Sequence, residues 1–121
     1  MKIVQCTFCA LHVNAKTNWS FIEILTADGI RGVGECSLNG WEPLQREYAA
    51  QFAPHVLRAT INGLDDIAAL CITYPHSVGG LVVQSVKSAT EQALTDAWAK
   101  FKGVAVWQLF CESSVRASVE V

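Results

Sequence analysis

Trp19-Ser-Phe-Ile-Glu-Ile-Leu-Thr-Ala-Asp-Gly-Ile-Arg-Gly-Val-Gly-Glu35 is the stretch that decides the fold. Its first half, residues 19–27, is rich in β-branched and aromatic side chains, which suit a pleated and half-buried surface. Asp28-Gly29 then interrupts it, and a second candidate strand follows over residues 30–38. Asp-Gly between two such runs signals a two-residue hairpin of type I′, whose central residues both take positive φ. The two strands are therefore expected side by side and antiparallel. Gly32 and Gly34 remove side chains at alternate positions, so one face of the third strand is flat and open to close approach. A helix is expected to cover it.

Working outward, residues 2–11 form an earlier candidate strand and the remainder reads as helix. Glu42-Pro43 opens a helix, with proline in the favoured first turn and a carboxylate at the positive end of the dipole. Leu44, Tyr48 and Phe52 give it an apolar stripe, and Pro54 predicts an end or kink near Ala53. Asn62-Gly63 marks a turn before a short helix begun by Leu64-Asp65-Asp66-Ile67, and Tyr74-Pro-His-Ser-Val-Gly-Gly80 breaks the chain again. The third helix, about residues 81–101, carries Val82, Val86, Thr90, Ala93, Leu94, Ala97, Trp98 and Phe101 on one mostly apolar face. Glu91, Asp96 and Lys100 lie elsewhere, and Gly103 is the expected C-terminal cap. After the apolar run Val104–Phe110, residues 115–121 alternate like a half-buried strand with no visible partner.

The chain has 121 residues and a formal charge of −2, from nine Lys and Arg against eleven Asp and Glu. That length cannot hold a β/α barrel, which needs about 250 residues. Charged residues are 17% of the chain and apolar residues 51%, against a usual charged share of about 25%. So apolar a surface implies a missing partner. Lys and Arg are scattered from Lys2 to Arg116 with no basic stripe, which argues against nucleic acid and a membrane surface. No run approaches the roughly 18 apolar residues of a membrane span. Gln5 and Thr7 interrupt the apolar start, so it does not read as a leader peptide and the expected location is cytoplasmic.

The residues that carry chemistry are few. Cys6, Cys9, Cys36, Cys71 and Cys111 are odd in number and irregular in spacing, as expected of reduced thiols used as small apolar side chains. Cys6-Thr-Phe-Cys9 matches a CxxC pattern, but on a strand the two sulfurs point to opposite faces. His12, His55 and His76 fall on three different elements with no metal-ligand spacing. Gly32-Val-Gly-Glu35 has neither the glycine spacing nor the following helix of a phosphate loop. Glu35 reads as a strand-end acid making structural hydrogen bonds, and Asp65-Asp66 as a complement to a helix dipole. No catalytic residue and no metal ligand is assigned in this chain.

Two stretches taken together resemble the N-terminal capping domain of the enolase superfamily, in its mandelate racemase and muconate lactonizing branch. They are Thr26-Ala-Asp-Gly-Ile-Arg-Gly-Val-Gly-Glu35 and Ala89-Thr-Glu-Gln-Ala-Leu-Thr-Asp-Ala-Trp-Ala-Lys-Phe-Lys-Gly-Val-Ala-Val-Trp-Gln-Leu109. Ala53-Pro54-His-Val-Leu57 and Leu64-Asp-Asp-Ile67 resemble that family's middle helices, so the likeness covers nearly the whole chain. It implies an α+β fold, a three-stranded antiparallel β-meander followed by a bundle of about three helices. It also implies domains at 1–112, the capping domain, and 113–121, the first strand of a barrel absent from this chain.

The family abstracts a proton α to a carboxylate and stabilises the product with magnesium, in racemases, dehydratases and cycloisomerases. Its bases and metal ligands lie in the barrel, so the resemblance implies that this chain alone has no cofactor and no activity. What it implies here is a lid, two loops that close on a small carboxylic acid substrate only when a barrel is present. By position these are residues 12–19, offering Lys16, Asn18 and Trp19, and residues 36–42, offering Asn39 and Trp41. The expected partners are the C-terminal barrel or a second copy of the chain, as a homo-oligomer. A stand-alone binding or oligomerisation module that reuses the same fold is the alternative.

Overall fold

The computed structural model describes residues 1–73, 79–111 and 113. The expected strand at 115–121, the barrel start at 113–121 apart from Ser113, and His76 lie outside the described residues. Three strands, β1 (Ile3–Asn14), β2 (Thr17–Thr26) and β3 (Arg31–Glu35), precede three helices, α1 (Glu42–Leu57), α2 (Leu64–Thr73) and α3 (Leu81–Lys102), and a short 3-10 turn at Val106–Leu109. The sheet order is β1-β2-β3 and both pairings are antiparallel. This is the expected α+β meander followed by helices.

The β2–β3 hairpin forms where expected, but by a different turn. Gly29 is the turn residue with positive φ, at 79°, and among the described residues no non-glycine takes one. A type I′ turn would need Asp28 there as well. Gly29 N–H instead donates to Thr26 C=O and Thr26 N–H to Ile30 C=O, both at 3.0 Å, which is the three-residue hairpin closed by a left-handed glycine. The Thr26 hydroxyl accepts from Ile30 N–H at 3.1 Å and holds the turn from within. The third strand also ends earlier than expected, at Glu35 rather than 38.

One face of the sheet is buried under the helices. Ser20, Ile22, Ile24 and Thr26 of β2 point inward, as do Gly32 and Gly34 of β3. α3 lies directly on those glycines: a Cβ at Gly32 would come within 2.0 Å of Ala93 O, and one at Gly34 within 1.9 Å of Ala89 O. Ala89, Ala93 and Ala97, spaced by four, are the matching strip of small residues on the helix, and all are buried. Glycine on the strand and alanine on the helix thus bring two backbones together.

α3 also guards the open edge of β3. Asp96 Oδ2 accepts from Val33 N–H at 3.0 Å, Gln92 Oε1 from Glu35 N–H at 3.2 Å, and Lys100 Nζ donates to Arg31 C=O at 2.8 Å. Asp96 and Lys100 are also joined at 2.7 Å as an i,i+4 pair. The polar side of this helix therefore does more than meet water. It pairs edge groups that would otherwise be left without a strand.

α1 departs from its expected reading twice. Pro54 does not end it; the helix runs on for one more turn to Leu57, where Val56 is fully buried in the core. Proline's missing N–H costs one bond near the helix end, and burial of Val56 keeps the last turn in place. The buried stripe is Gln45, Ala49, Phe52 and Val56, one position on from Leu44 and Tyr48. Leu44 is 54% exposed. The stripe shifts because Gln45 is a polar tie, its Nε2 donating to Cys36 C=O at 2.5 Å and to Ser85 Oγ at 2.9 Å. α3 ends as expected, on Gly103 at φ 68°, though Phe101 is 44% exposed rather than core.

Candidate functional site: the two loops at one end of the sheet

The loop expected over residues 12–19 contracts to the turn at Ala15 and Lys16, because β1 runs on to Asn14 and β2 begins at Thr17. Asn14 Oδ1 accepts from Lys16 N–H at 2.9 Å, an Asx-type bond that sets the turn. Asn18 and Trp19 are therefore strand residues. The second loop runs from Cys36 to Trp41, between β3 and α1, and reverses at Gly40, whose φ is 85°.

These two segments are tied to each other residue by residue. Asn39 Oδ1 accepts from Asn18 N–H at 3.2 Å, and Asn39 Nδ2 donates to Lys16 C=O at 2.9 Å. Asn18 Nδ2 donates to Glu42 Oε1 at 2.9 Å, and Gly40 N–H donates to the same oxygen at 3.1 Å. With its amide nitrogen committed to Glu42, Asn18 presents Oδ1 to His12 Nδ1, 2.8 Å away. The Asn18 oxygen can only accept, so His12 Nδ1 is the donor of this pair. At the loop base, Ser37 Oγ accepts from Ser20 N–H at 3.1 Å and Cys36 N–H donates to Ser20 C=O at 2.8 Å.

Glu42 is the hub of the arrangement. The Asn18 amide, then Glu42's own backbone amide and that of Gly40, hold its carboxyl below the ordinary 4.5. Hydrogen bonds to the charged form are the cause, with the helix N-terminus behind them. From the sequence, this acid reads only as a dipole complement and His12 only as a histidine without metal-ligand spacing. The legible signal was the acid directly before Pro43 at a helix start.

Of the five candidate residues, the structure brings Asn18, Asn39 and the Lys16 carbonyl together. Trp41 sits at the cap position of α1 without a side-chain cap bond, and is 48% exposed. Trp19, 46% exposed, stands across from Leu11 on the sheet face opposite to Asn18, so it does not join the cluster. Lys16 is exposed. Glu35 makes its bond to Gln92 through its backbone rather than its carboxylate. Asp66 Oδ2 accepts from Asn62 N–H at 2.7 Å, which ties the turn before α2 to the helix's first turn.

Burial pushes the thiols of Cys6, Cys36 and Cys71 up to about 11, with the Glu35 charge adding to it at Cys36 and that of Glu91 at Cys71. Thiols so raised are poor nucleophiles and poor metal ligands at neutral pH. Among the described residues, no three His, Cys, Asp or Glu side chains converge as a metal site would require. The described donors do not fit magnesium. No helix of the described residues is long and apolar enough to cross a membrane.

The domain is a three-stranded meander whose third strand is glycine-packed on a long helix, with two loops joined at one end. The sequence matches the mandelate racemase / muconate lactonizing enzyme N-terminal domain over residues 3–111, and the chain belongs to that family. It is similar to the D-mannonate dehydratase of Caulobacter sp. (strain K31), 29% identical over 93 residues that make up 76% of this chain and 23% of that protein. It also resembles the crystal structure of a protein described as an L-alanine-DL-glutamate epimerase from Burkholderia xenovorans strain LB400, bound to magnesium and fumarate. There the TM-score is 0.73 at 27% identity, over 95% of this chain and 28% of that one. The chain thus spans about a quarter of the length of these relatives.

Proposed function

We propose that this chain is the lid of a magnesium-dependent enzyme that removes the proton α to the carboxylate of a small acid, and that the catalytic barrel is a separate part it closes upon. Family membership, the dehydratase and epimerase names of its relatives, and the magnesium and fumarate in one of them support the reading. The observation that carries it is the cross-linking of the two loops through Asn18, Asn39 and Glu42. Loops tied together move as one body, and a lid must do that to exclude water and fix a substrate's orientation.

In this reading Asn39, Lys16 and Trp41 contribute polar and aromatic contacts to the substrate, and Trp19 supports the neighbouring sheet face. Asn18 and Glu42 hold the loops in place. Residues 1–112 are the lid and 113–121 begin the barrel; the setting is cytoplasmic, and the chain alone is inactive. Two tests follow. Reading the gene past the codon for Val121 should reveal an open frame with a Lys-x-Lys and spaced acids, whereas a stop followed by an unrelated gene favours a stand-alone module. In the protein that includes the barrel, Asn39→Ala should raise KM for the acid substrate about tenfold or more, in keeping with a lost polar contact of 1–2 kcal/mol. An unchanged KM and kcat would remove Asn39 from the lid.

A further inference from the structure

The two edges of the sheet are treated differently, and the difference identifies an interaction surface. Cys36 N–H bonds Ser20 C=O, so the inward-facing residues of β2 bond β3 and its odd-numbered residues, Trp19 to Leu25, bond β1. Their register partners are Leu11, Cys9, Thr7 and Gln5. The backbone groups of Cys6, Phe8, Ala10 and His12 therefore point off the sheet, where the strand order places no neighbour among the described residues. On β3 the same alternation frees Arg31, Val33 and Glu35, and these are the groups that Lys100, Asp96 and Gln92 occupy.

Among the described residues the β1 edge has no such guard. Met1 and Ile61 bond each other's backbone at 2.7 and 2.9 Å and close its first residues, after which it lies open. Ile3–Asn14 contains no Asp, Glu, Lys, Arg or Pro, the residues that usually blunt an edge. Leu11 and Val13 are 55% and 44% exposed along it. Beside it a groove of about 220 Å³ runs between Cys6, Thr7 and Phe8 and the flank of α1, floored by Ala49, Ala50 and Ala53. Small residues there leave room for another chain's backbone.

We infer that this edge pairs, antiparallel, with β1 of a second copy of the chain across a two-fold axis at Cys9. The occupant follows from the strand itself. Centred on Cys9, Cys6 faces His12 and Phe8 faces Ala10 in both directions, so every free residue meets a free residue and each pair exchanges two hydrogen bonds. Ile3–Asn14 holds no Asp, Glu, Lys or Arg, and its one histidine, His12, meets Cys6, so no like charges oppose; the Arg46 guanidinium, 5.1 Å from the Phe8 ring centre, faces the partner's Ala10 rather than its own image. The result is one continuous sheet through both copies. This inference is independent of the lid reading, and the experiment below does not touch the loops.

Ala10 is the residue to change, because its N–H points off the sheet and proline there leaves the β1–β2 ladder whole. Sedimentation of the 121-residue chain should show a species of twice 13.2 kDa growing with concentration. Amide exchange at Phe8 and Ala10 should slow in step with it, a readout that needs no variant. Ala10→Pro should sediment as a single chain with an unchanged far-ultraviolet spectrum. A wild-type chain that stays single at every concentration, a dimer whose Phe8 and Ala10 amides exchange freely, or a dimer that survives Ala10→Pro overturns the inference.

Discussion

A methyl group at Gly34 would meet the carbonyl oxygen of Ala89 at 1.9 Å, and neither backbone can yield without moving α3 off the sheet. Gly34→Ala should therefore destabilise by about 1–3 kcal/mol or more and lower the melting temperature by roughly 5–15 °C. An unchanged melting temperature would mean that the helix is not where it is described. Glu42 gives a second residue-level expectation. Its folded carboxyl is held below the ordinary 4.5, so its contribution is full above the unfolded value and fades as pH falls through the folded one. Thermal unfolding across the acid range should show Glu42→Gln losing part of that pH dependence while the parent keeps it. Thiol chemistry supplies the third. With Cys36 and Cys71 buried and pushed up to about 11, alkylation at pH 8 should modify exposed Cys111 at once and those two only on unfolding.

At the level of elements, side chains of α3 stand in for a fourth strand along β3. Asp96→Ala should cost about 1–3 kcal/mol by denaturant unfolding, since it removes a charged acceptor from Val33 N–H and frees Lys100. The Val33 amide should exchange faster in the same variant. Much of this architecture is legible in sequence. Asp28-Gly29 between two β-rich runs announces the hairpin, and Gly32 and Gly34 announce a close neighbour, because each depends on a local steric requirement. The turn type is not legible in the same way, since Asp-Gly fits both a type I′ turn and a loop closed by glycine alone. Nor is the Gln45 stripe, because a buried glutamine is stabilised only by partners, Cys36 and Ser85, that come from distant parts of the chain. Likewise Pro54 is tolerated through tertiary burial of Val56, which overrides the local rule.

For the whole molecule, the loop cluster shows the same division between local and distant information. That residues near Asn18 and Asn39 face one end of the sheet follows from strand order. That they clasp each other through Glu42, with His12 behind Asn18, depends on a helix start 24 residues away from Asn18 in sequence. The low charge of the chain finds its counterpart in exposed Val106, Trp107 and Phe110 and in a β1 edge that no described residue guards. Among the described residues no three His, Cys, Asp or Glu side chains are placed to hold a metal ion. The most direct test is magnesium titration of the 121-residue chain, followed by calorimetry and by thermal unfolding. The account predicts no saturable heat and no shift in melting temperature. Saturable heat with a rise in melting temperature would show binding to the folded chain, and would contradict the assignment of the metal chemistry to a separate barrel.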